Sequence, residues 1–382
     1  MSAPRVLLYV QHLLGVGHVK RGAAIARAMG DAGLAVHVVL GGEPVPYADF
    51  GTAQLHQLPS ARANDMSFSQ LLDAHNQPVD AAWYAARRSQ VLALEAELQP
   101  RVIITEHFPF GRAKFAFELI PMFTQARARG AVTILASVRD VLVETADAGK
   151  VNRMLGWIDA WFDGVLVHGD AAVIPFDATF PAAQAIRAKL HYTGYVVEPA
   201  ANSSSTDGTD EIIVSVGGGA VGENLLRVAI ATAAAHPRHR WRLLVGANLT
   251  EPTYLSIRAA AAPHPHITVE RARPDFRALL RRAALSISQG GYNTLMDVLV
   301  ARCPAVIVPF AGGAESEQAF RAEAFARRGL ITVIAEAELT RASLSAAVDA
   351  VLGRPFGGRV PVIDLDGAAA TARHVKTLVG ST

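Results

Sequence analysis

Chemistry is first written into this sequence by a histidine in a glycine-bracketed turn. Gly15-Val16-Gly17-His18 follows the apolar run Val6–Val10 and precedes an alanine-rich stretch of helical periodicity. His18 therefore falls where a loop becomes a helix. Exposed N–H groups at a helix start disfavour imidazolium, and a neutral imidazole is a competent general base near pH 7. A histidine that merely caps its helix is the alternative reading. Two more glycine turns, Gly217-Gly218-Gly219 with Gly222 and Gly290-Gly291, have the same strand-to-helix setting. Glycine lets the backbone approach a ligand closely, and the helix start offers N–H groups to an anion such as phosphate. Gly17, Gly218, Gly219, Gly290 and Gly291 are thus candidate phosphate contacts, although glycine also serves such turns for packing alone.

The third turn continues through Asn293 and Thr294 to Asp297, about two turns into the expected helix. A strand ending at Pro309 and a loop of small residues follow. Glu315, Glu317 and Gln318 then open another helix. Carboxylates and amides suit the hydroxyls of sugars and ribose, which both donate and accept. The two glutamates also fit as ordinary acids of a first helical turn. The first glycine turn is not a dinucleotide fingerprint, because its third glycine position holds Lys20, and no Walker motif occurs. A nicotinamide-dependent dehydrogenase is thereby disfavoured.

These residues need elements to hold them. Short apolar runs alternate with helical segments along the whole chain, which predicts βαβ units and parallel sheets. Strands are expected at Val6–Val10, Ala35–Leu40, Val102–Thr105, Val132–Ala136, Val165–His168 and Leu190–Thr193. A second set is expected at Glu211–Val216, Trp241–Val245, Ile267–Glu270, Leu285–Ser288, Ala305–Pro309 and Ile331–Ile334. The polar stretch Ala200–Asp210 reads as a linker, and each half begins with strand, glycine turn and alanine-rich helix. This gives a domain over residues 1–199, a second over 211–363, and a final helix in 364–382 that crosses back to the first by analogy with the architecture named below. In open parallel sheets ligands bind at the carboxyl ends of strands. Glu106, His107 and Asp140 fall there, as orienting partners of His18, as acceptor contacts, or as loop caps.

Composition narrows the classes. The 382 residues are 51% hydrophobic and 18% charged, with a net charge of +2, so the chain can bury two cores and has no strong basic character. No nucleic acid partner is expected. The pairs Arg87-Arg88, Arg281-Arg282 and Arg327-Arg328 read as solvated helix faces. One cysteine, Cys303, excludes an intramolecular disulfide and fits a reducing cytoplasm. The first apolar run reads as a strand rather than a signal peptide, and no uninterrupted run is long enough for a transmembrane helix. Asp364-Leu365-Asp366 has the form of a metal-binding DxD but reads as chance, so no metal is expected. Phe108, Phe110, Phe115, Phe117 and Phe123, beside Arg112 and Lys114, read as a helix packed on the sheet, interrupted at Pro121. A membrane-surface patch is the alternative.

On these motifs the chain resembles the MurG-like nucleotide-sugar glycosyltransferases. The resemblance rests on Gly290-Gly291-Tyr292-Asn293-Thr294 with Asp297, on Pro309 to Gln318, and on GxGHxxR from Gly15 to Arg21. The stretches Thr105–Arg112, Val167–Asp170 and Asp177–Pro181 resemble a bacterial subgroup of predicted glycosyltransferases. The resemblance implies α/β GT-B architecture: two facing Rossmann-like, doubly wound parallel-sheet domains with a central cleft. It implies a nucleoside-diphosphate sugar as donor substrate, a UDP-sugar by family default, and no cofactor. Gly290 and Gly291 would then face the diphosphate, Asp297 the ribose, and Glu317 and Gln318 the sugar. Arg273, within Arg271–Phe276, would border the base. His18 would deprotonate an acceptor hydroxyl, a lipid-linked one among the candidates, with inversion and with peripheral membrane contact left open. The chain departs from the family in having Asp297 where glutamate is common, and in a longer spacing from Pro309 to Gln318. A nucleotide-sugar hydrolase, a nonhydrolysing epimerase and a non-catalytic binding module share enough of these features to stand as alternatives.

Overall fold

The computed structural model describes residues 3–13, 16–63, 70–142, 147–198, 205–217, 221–246, 248–312, 316–353 and 362–380. The chain forms two compact units, Met1–Glu198 with Asp364–Thr382, and Pro199–Ile363. Part of the expected linker, residues 200–204, lies outside the described residues.

Unit 1 opens with β1 (Arg5–Val10), α1 (Gly17–Asp31) and β2 (Ala35–Leu40), then the short strands β3 (Gln54–Gln57), β4 (Arg62–Ala63) and β5 (Leu71–Leu72). It continues through α2 (Ala81–Leu98), β6 (Val102–Glu106), α3 (Ala116–Arg129), β7 (Thr133–Arg139), α4 (Ala148–Trp161), β8 (Gly164–His168) and β9 (Leu190–Tyr192). Its 7-stranded sheet has the order β3-β2-β1-β6-β7-β8-β9 with parallel pairing throughout. The order reverses between β1 and β6, and such a switch point opens a crevice at the strands' carboxyl ends. β3 was not expected from the sequence. It is a mostly exposed edge strand, QLHQ, without the apolar alternation that marks a buried one. β7 runs to Arg139, beyond the expected Ala136, because Val138 stays in the core and Arg139 still pairs with His168.

Both faces of this sheet are covered, as a parallel sheet requires. Leu7, Tyr9, Ile103, Ile134 and Val165 pack on one face, with residues of α2, α3 and α4. Their neighbours Val6, Leu8, Ile104, Leu135 and Leu166 pack on the other, with α1. The period-2 alternation of side chains places them so. α11 (Gly367–Gly380) closes this second face, burying Ala372 and Val375 in the same cluster as Val19 and Ala23. The segment before it is pinned by Tyr195, whose N–H donates to the Asp364 carbonyl at 2.8 Å and whose carbonyl accepts from Gly367 N–H at 3.1 Å. A Cβ on Gly367 would lie 2.3 Å from the Gly194 carbonyl oxygen, so only glycine fits there.

The aromatic run is core: Phe108, Phe115 and Phe123 are fully buried, Phe110 nearly so, and Phe117 packs against them. Pro121 does not interrupt the helix as expected; α3 continues through it to Arg129. Arg87 also departs from the expectation of a solvated pair. Arg88 is exposed, but Arg87 is fully buried. Its guanidinium donates to Glu118 at 2.6 and 2.9 Å, to the Gly41 and Pro59 carbonyls at 2.8 Å each, to Tyr9 at 3.0 Å and to Gln11 at 2.9 Å. It thereby ties α2 to α3, to β1 and to the loops after β2 and β3. Arg281 is exposed and Arg282 half-buried, its Nε donating to the Asp207 carbonyl; Arg327 and Arg328 are exposed.

Unit 2 runs β10 (Glu211–Ser215), α5 (Glu223–Ala233), β11 (Arg240–Val245), α6 (Glu251–Ala261), β12 (Ile267–Arg271), α7 (Phe276–Leu280), β13 (Leu285–Ser288), α8 (Tyr292–Ala301), β14 (Ala305–Ile307), α9 (Glu317–Arg327), β15 (Thr332–Val333) and α10 (Arg341–Leu352). Its 6-stranded parallel sheet is ordered β12-β11-β10-β13-β14-β15, the strand order of a doubly wound Rossmann sheet. The switch point lies between β10 and β13, whose carboxyl ends carry the second and third glycine turns. The Arg87 cluster yields a test of the packing. Arg87→Leu strands the Glu118 carboxylate in the core and should cost about 3–5 kcal/mol in denaturant unfolding, whereas Arg88→Ala should stay within about 0.5 kcal/mol.

Candidate functional site

In unit 1 the switch point gathers a buried polar cluster. His18 sits in the first turn of α1, and Glu106 ends the adjacent β6. His18 Nδ1 lies 2.9 Å from Glu106 Oε1. Glu106 is fully buried, with Arg21 from the next turn of α1 as its counter-ion: Arg21 Nη2 bonds Oε1, and Nε lies 3.3 Å from Oε2. Arg21 Nη2 is also 3.1 Å from His18 Nδ1, because both groups converge on the same oxygen. Burial alone would raise the carboxyl group's pKa. The Arg21 charge and the bond from His18 outweigh it and hold Glu106 well below the usual carboxylate range.

The electrostatics keep His18 neutral. Burial pushes its pKa from 6.5 down to about 4, against the opposing pull of Glu106 and with help from Arg21 and Arg112. A carboxylate only accepts hydrogen bonds, so Glu106 selects the tautomer with the proton on Nδ1. Nε2 is then the basic nitrogen. The His107 ring centroid lies 4.9 Å from that of His18. His107 adopts a left-handed backbone (φ 71°), donates its N–H to the Ser137 carbonyl at 2.7 Å, and has a buried Nδ1 with no partner. Burial, with the Arg112 and Arg139 charges beside it, holds its pKa well below 6.5.

The cluster extends sideways along the strand ends. Ser137 of β7 donates to Glu106 Oε2 at 2.6 Å, and its Oγ is 2.8 Å from His168 Nε2 on β8. His168 Nδ1 is in turn 2.8 Å from Thr193 Oγ1, just past β9. Glu106, Ser137 and His168 are fully buried and Thr193 nearly so. Sequence reasoning gave no role to Arg21, Ser137 or Thr193. Arg21 and His168 stand inside motifs it had singled out, but a lone serine or threonine in an apolar strand carries no spacing signal. Glu106 has both oxygens engaged inside the protein and is a partner of His18, one of the arrangements expected for it. Asp140 is also fully buried, packed so closely on Gly169 that a Cβ there would lie 2.6 Å from its own.

In unit 2 the second turn begins at Gly217 (φ 65°); Gly218 and Gly219, like Gly15 and Glu315, lie outside the described residues. Gly222 (φ 108°) caps α5, and a Cβ there would lie 2.6 Å from the Val216 side chain, so its glycine has a packing reason. The third turn differs. A Cβ at Gly290 would meet Gln318 only at 3.4 Å, and one at Gly291 nothing nearer than Thr294 Oγ1 at 4.0 Å. Neither glycine is demanded by the protein's own packing. α8 starts at Tyr292, with Gly291 as its cap and Asn293 and Thr294 in its first turn. Gln318 in the first turn of α9 reaches this turn, its Oε1 accepting from Phe310 N–H at 3.3 Å, and Glu317 beside it is buried. Asp297 is joined to Arg277 of α7, whose Nε donates to Oδ1 at 2.7 Å.

Arg273 lies in an ion-pair network. Asp275 holds it through two bonds of 2.8 Å and Asp207 through one of 2.7 Å. Arg242, bonded to Glu211 at 2.6 Å, extends the same ion-pair network. Asp364 and Asp366 are likewise engaged locally: Asp364 Oδ1 accepts from Asp366 N–H at 3.0 Å, and Arg373 donates to Asp366 at 2.8 Å. No group of acidic, histidine or cysteine side chains with metal-binding geometry occurs among the described residues.

Known proteins resemble this chain in sequence and in fold. Residues 213–355 match the glycosyltransferase family 28 C-terminal domain. A UDP-N-acetylglucosamine--N-acetylmuramyl-(pentapeptide) pyrophosphoryl-undecaprenol N-acetylglucosamine transferase of Sinorhizobium fredii (strain NBRC 101917 / NGR234) is 25% identical over 357 residues, covering 89% of this chain and 85% of the relative. The Acinetobacter baumannii MurG structure superimposes with a TM-score of 0.60 at 15% identity, over 99% of this chain and 100% of that one. The calicheamicin glycosyltransferase CalG4 does so with a TM-score of 0.61 at 16% identity, over 100% and 95%. The solved structures establish the architecture, and the sequence matches establish the class of enzyme. Residues 213–355 are a glycosyltransferase family 28 C-terminal domain, and the chain is a glycosyltransferase of the GT-B fold that is similar in sequence to MurG-type transferases.

Proposed function

We propose that the protein transfers a sugar from a UDP-sugar to an acceptor hydroxyl with inversion and without a metal ion, using His18 as general base. The observation that carries this reading is the buried Glu106 carboxylate on His18 Nδ1, which leaves Nε2 as the basic nitrogen of a neutral ring. Nε2 takes the proton of the acceptor hydroxyl as its oxygen attacks the anomeric carbon. The bond from that carbon to the diphosphate breaks on the opposite face, and the nucleotide leaves with the electron pair. Glu106 stabilises the imidazolium so formed. N–H groups at the start of α8 take up charge on the departing diphosphate, the role of a helix start toward phosphate. The glycines at 290 and 291, not required by internal packing, give the ligand close access to that backbone.

Asp297, Glu317 and Gln318 bind ribose and sugar hydroxyls in this scheme, and Arg273 borders the base. The named relative's donor, UDP-N-acetylglucosamine, makes a UDP-sugar the first candidate, and its pyrophosphoryl-undecaprenol substrate makes a lipid-linked acceptor plausible. A lipid-linked acceptor would place the enzyme in the cytoplasm at the inner membrane face. No helix among the described residues is long and apolar enough to cross a membrane, and the buried phenylalanines leave any membrane contact to another surface.

Two measurements test this. A thermal-shift screen of nucleoside diphosphates and UDP-sugars, without metal, should show stabilisation by the uridine compounds, by mass action on the native state. Gly291→Ala should fold with an unchanged melting temperature and lose the shift; a shift with none of these ligands sinks the donor-site reading. The second is pH. His18 and His168 have folded-state pKa values of about 4 and about 3, below the ordinary 6.5. Their contribution to stability is therefore complete above pH 6.5 and is lost as the pH falls toward the folded values. The melting temperature should drop across that window, and less steeply in His168→Gln.

A further inference from the structure

We propose that Ser137 and His168 are positioning residues for the transfer, the buried chain Thr193–His168–Ser137–Glu106 dictating which nitrogen of His18 carries its proton. This rests on the reading of His18 as the base. The directions of the hydrogen bonds follow from one end. Glu106 as a carboxylate can only accept, so Ser137 spends its single hydroxyl proton on Oε2, 2.6 Å away. His168 Nε2, 2.8 Å from the same hydroxyl oxygen, must then be the donor to it. Burial keeps His168 neutral, so its Nδ1 carries a lone pair and accepts from the Thr193 hydroxyl at 2.8 Å. The Ser137 proton is thereby assigned, and the Thr193 hydroxyl, which also lies 3.2 Å from the Gly194 carbonyl, is closest to His168 Nδ1.

The consequence reaches His18 through the carboxylate. Arg21 and Ser137 hold Oε2, which fixes the plane of the Glu106 group and aims Oε1 at His18 Nδ1. Without the Ser137 donor, Oε2 keeps only the longer bond of 3.3 Å from Arg21 Nε among those described. The carboxylate can then turn, and Arg21 Nη2, 3.1 Å from Nδ1, can donate to His18 in its place. That would move the imidazole proton to Nε2 and remove the base. His168 prevents a quieter failure, in which the Ser137 hydroxyl rotates away from Glu106. The groups facing His18 are Glu106 from β6, Arg21 from α1, and His107 and Arg112 from the loop after β6. Those facing His168 are Ser137, Thr193, Arg21 and Glu106.

The test is a nitrogen–proton correlation spectrum of the histidine side chains in the full chain, with turnover read as UDP release from UDP-N-acetylglucosamine. Wild-type His18 should show one tautomer, protonated on Nδ1. Ser137→Ala and His168→Leu should give a mixture of tautomers and lose turnover by about a hundredfold, the cost of a misplaced catalytic group. His168→Gln, whose amide both donates and accepts, should restore the single tautomer. If Ser137→Ala does not fold, the two His168 variants decide the matter. His18 protonated on Nε2 in wild type, or held on Nδ1 in both Ser137→Ala and His168→Leu, overturns the proposal. If instead His18→Ala turns over at the wild-type rate while the tautomer pattern holds, it is the base assignment that fails.

Discussion

A carboxylate sealed from water must find its compensation inside the protein, and Glu106 is the group on which unit 1 is organised. Its two oxygens draw in His18 and Arg21 from α1 and Ser137 from the neighbouring strand. α1 can meet β6 only because β1, which feeds α1, lies next to β6 in the sheet. The reversal of strand order thus does more than open a crevice. It sets the helix start of one βα unit beside the strand end of another, where a buried acid can be satisfied from two directions. A buried ion pair of this kind is a poor source of net stability, since desolvation offsets most of the attraction. Its contribution is geometric: it gives one ring one orientation.

The Arg87 cluster shows the same physics put to structural use. There a buried guanidinium meets a carboxylate, a phenol, an amide and two backbone carbonyls, and Trp83 and Phe115 lie against its faces. That centre lies between α2, α3 and β1, away from the start of α1 that carries His18. Burial and charge alone do not mark a functional site; position relative to the switch point separates the two clusters. In unit 2, Arg273 is held in an ion-pair network with Asp207 and Asp275, while Gly290 and Gly291 stand in a turn with room around them.

Most of the scaffold was legible in the sequence because parallel strands buried on both faces leave unbroken apolar runs, and those runs were found to within a few residues of their ends. The edge strand β3 was not, because half-exposed Gln54–Gln57 has no such run. The histidine and the glycine turns were legible from their local setting, strand before and helix after. Their partners were not. Ser137, His168 and Thr193 meet because three adjacent strands end at one level, a relation of register that no spacing along the chain records. Arg87 and Arg88 show the complementary limit: neighbours identical in type, one at the centre of the core and one in water, decided by the rotation of a helix about its axis.

The docking of α11 on α1 has a consequence for how the protein is made. Unit 1 is discontinuous, its last element following the whole of unit 2 in the chain. α11 leaves the ribosome after the whole of unit 2, a single uninterrupted stretch, so one flank of α1 has no cover until then. Domains generally fold as units during synthesis. The second unit to be translated is therefore the first able to finish folding, and the helix that carries the histidine waits for α11 to cover it.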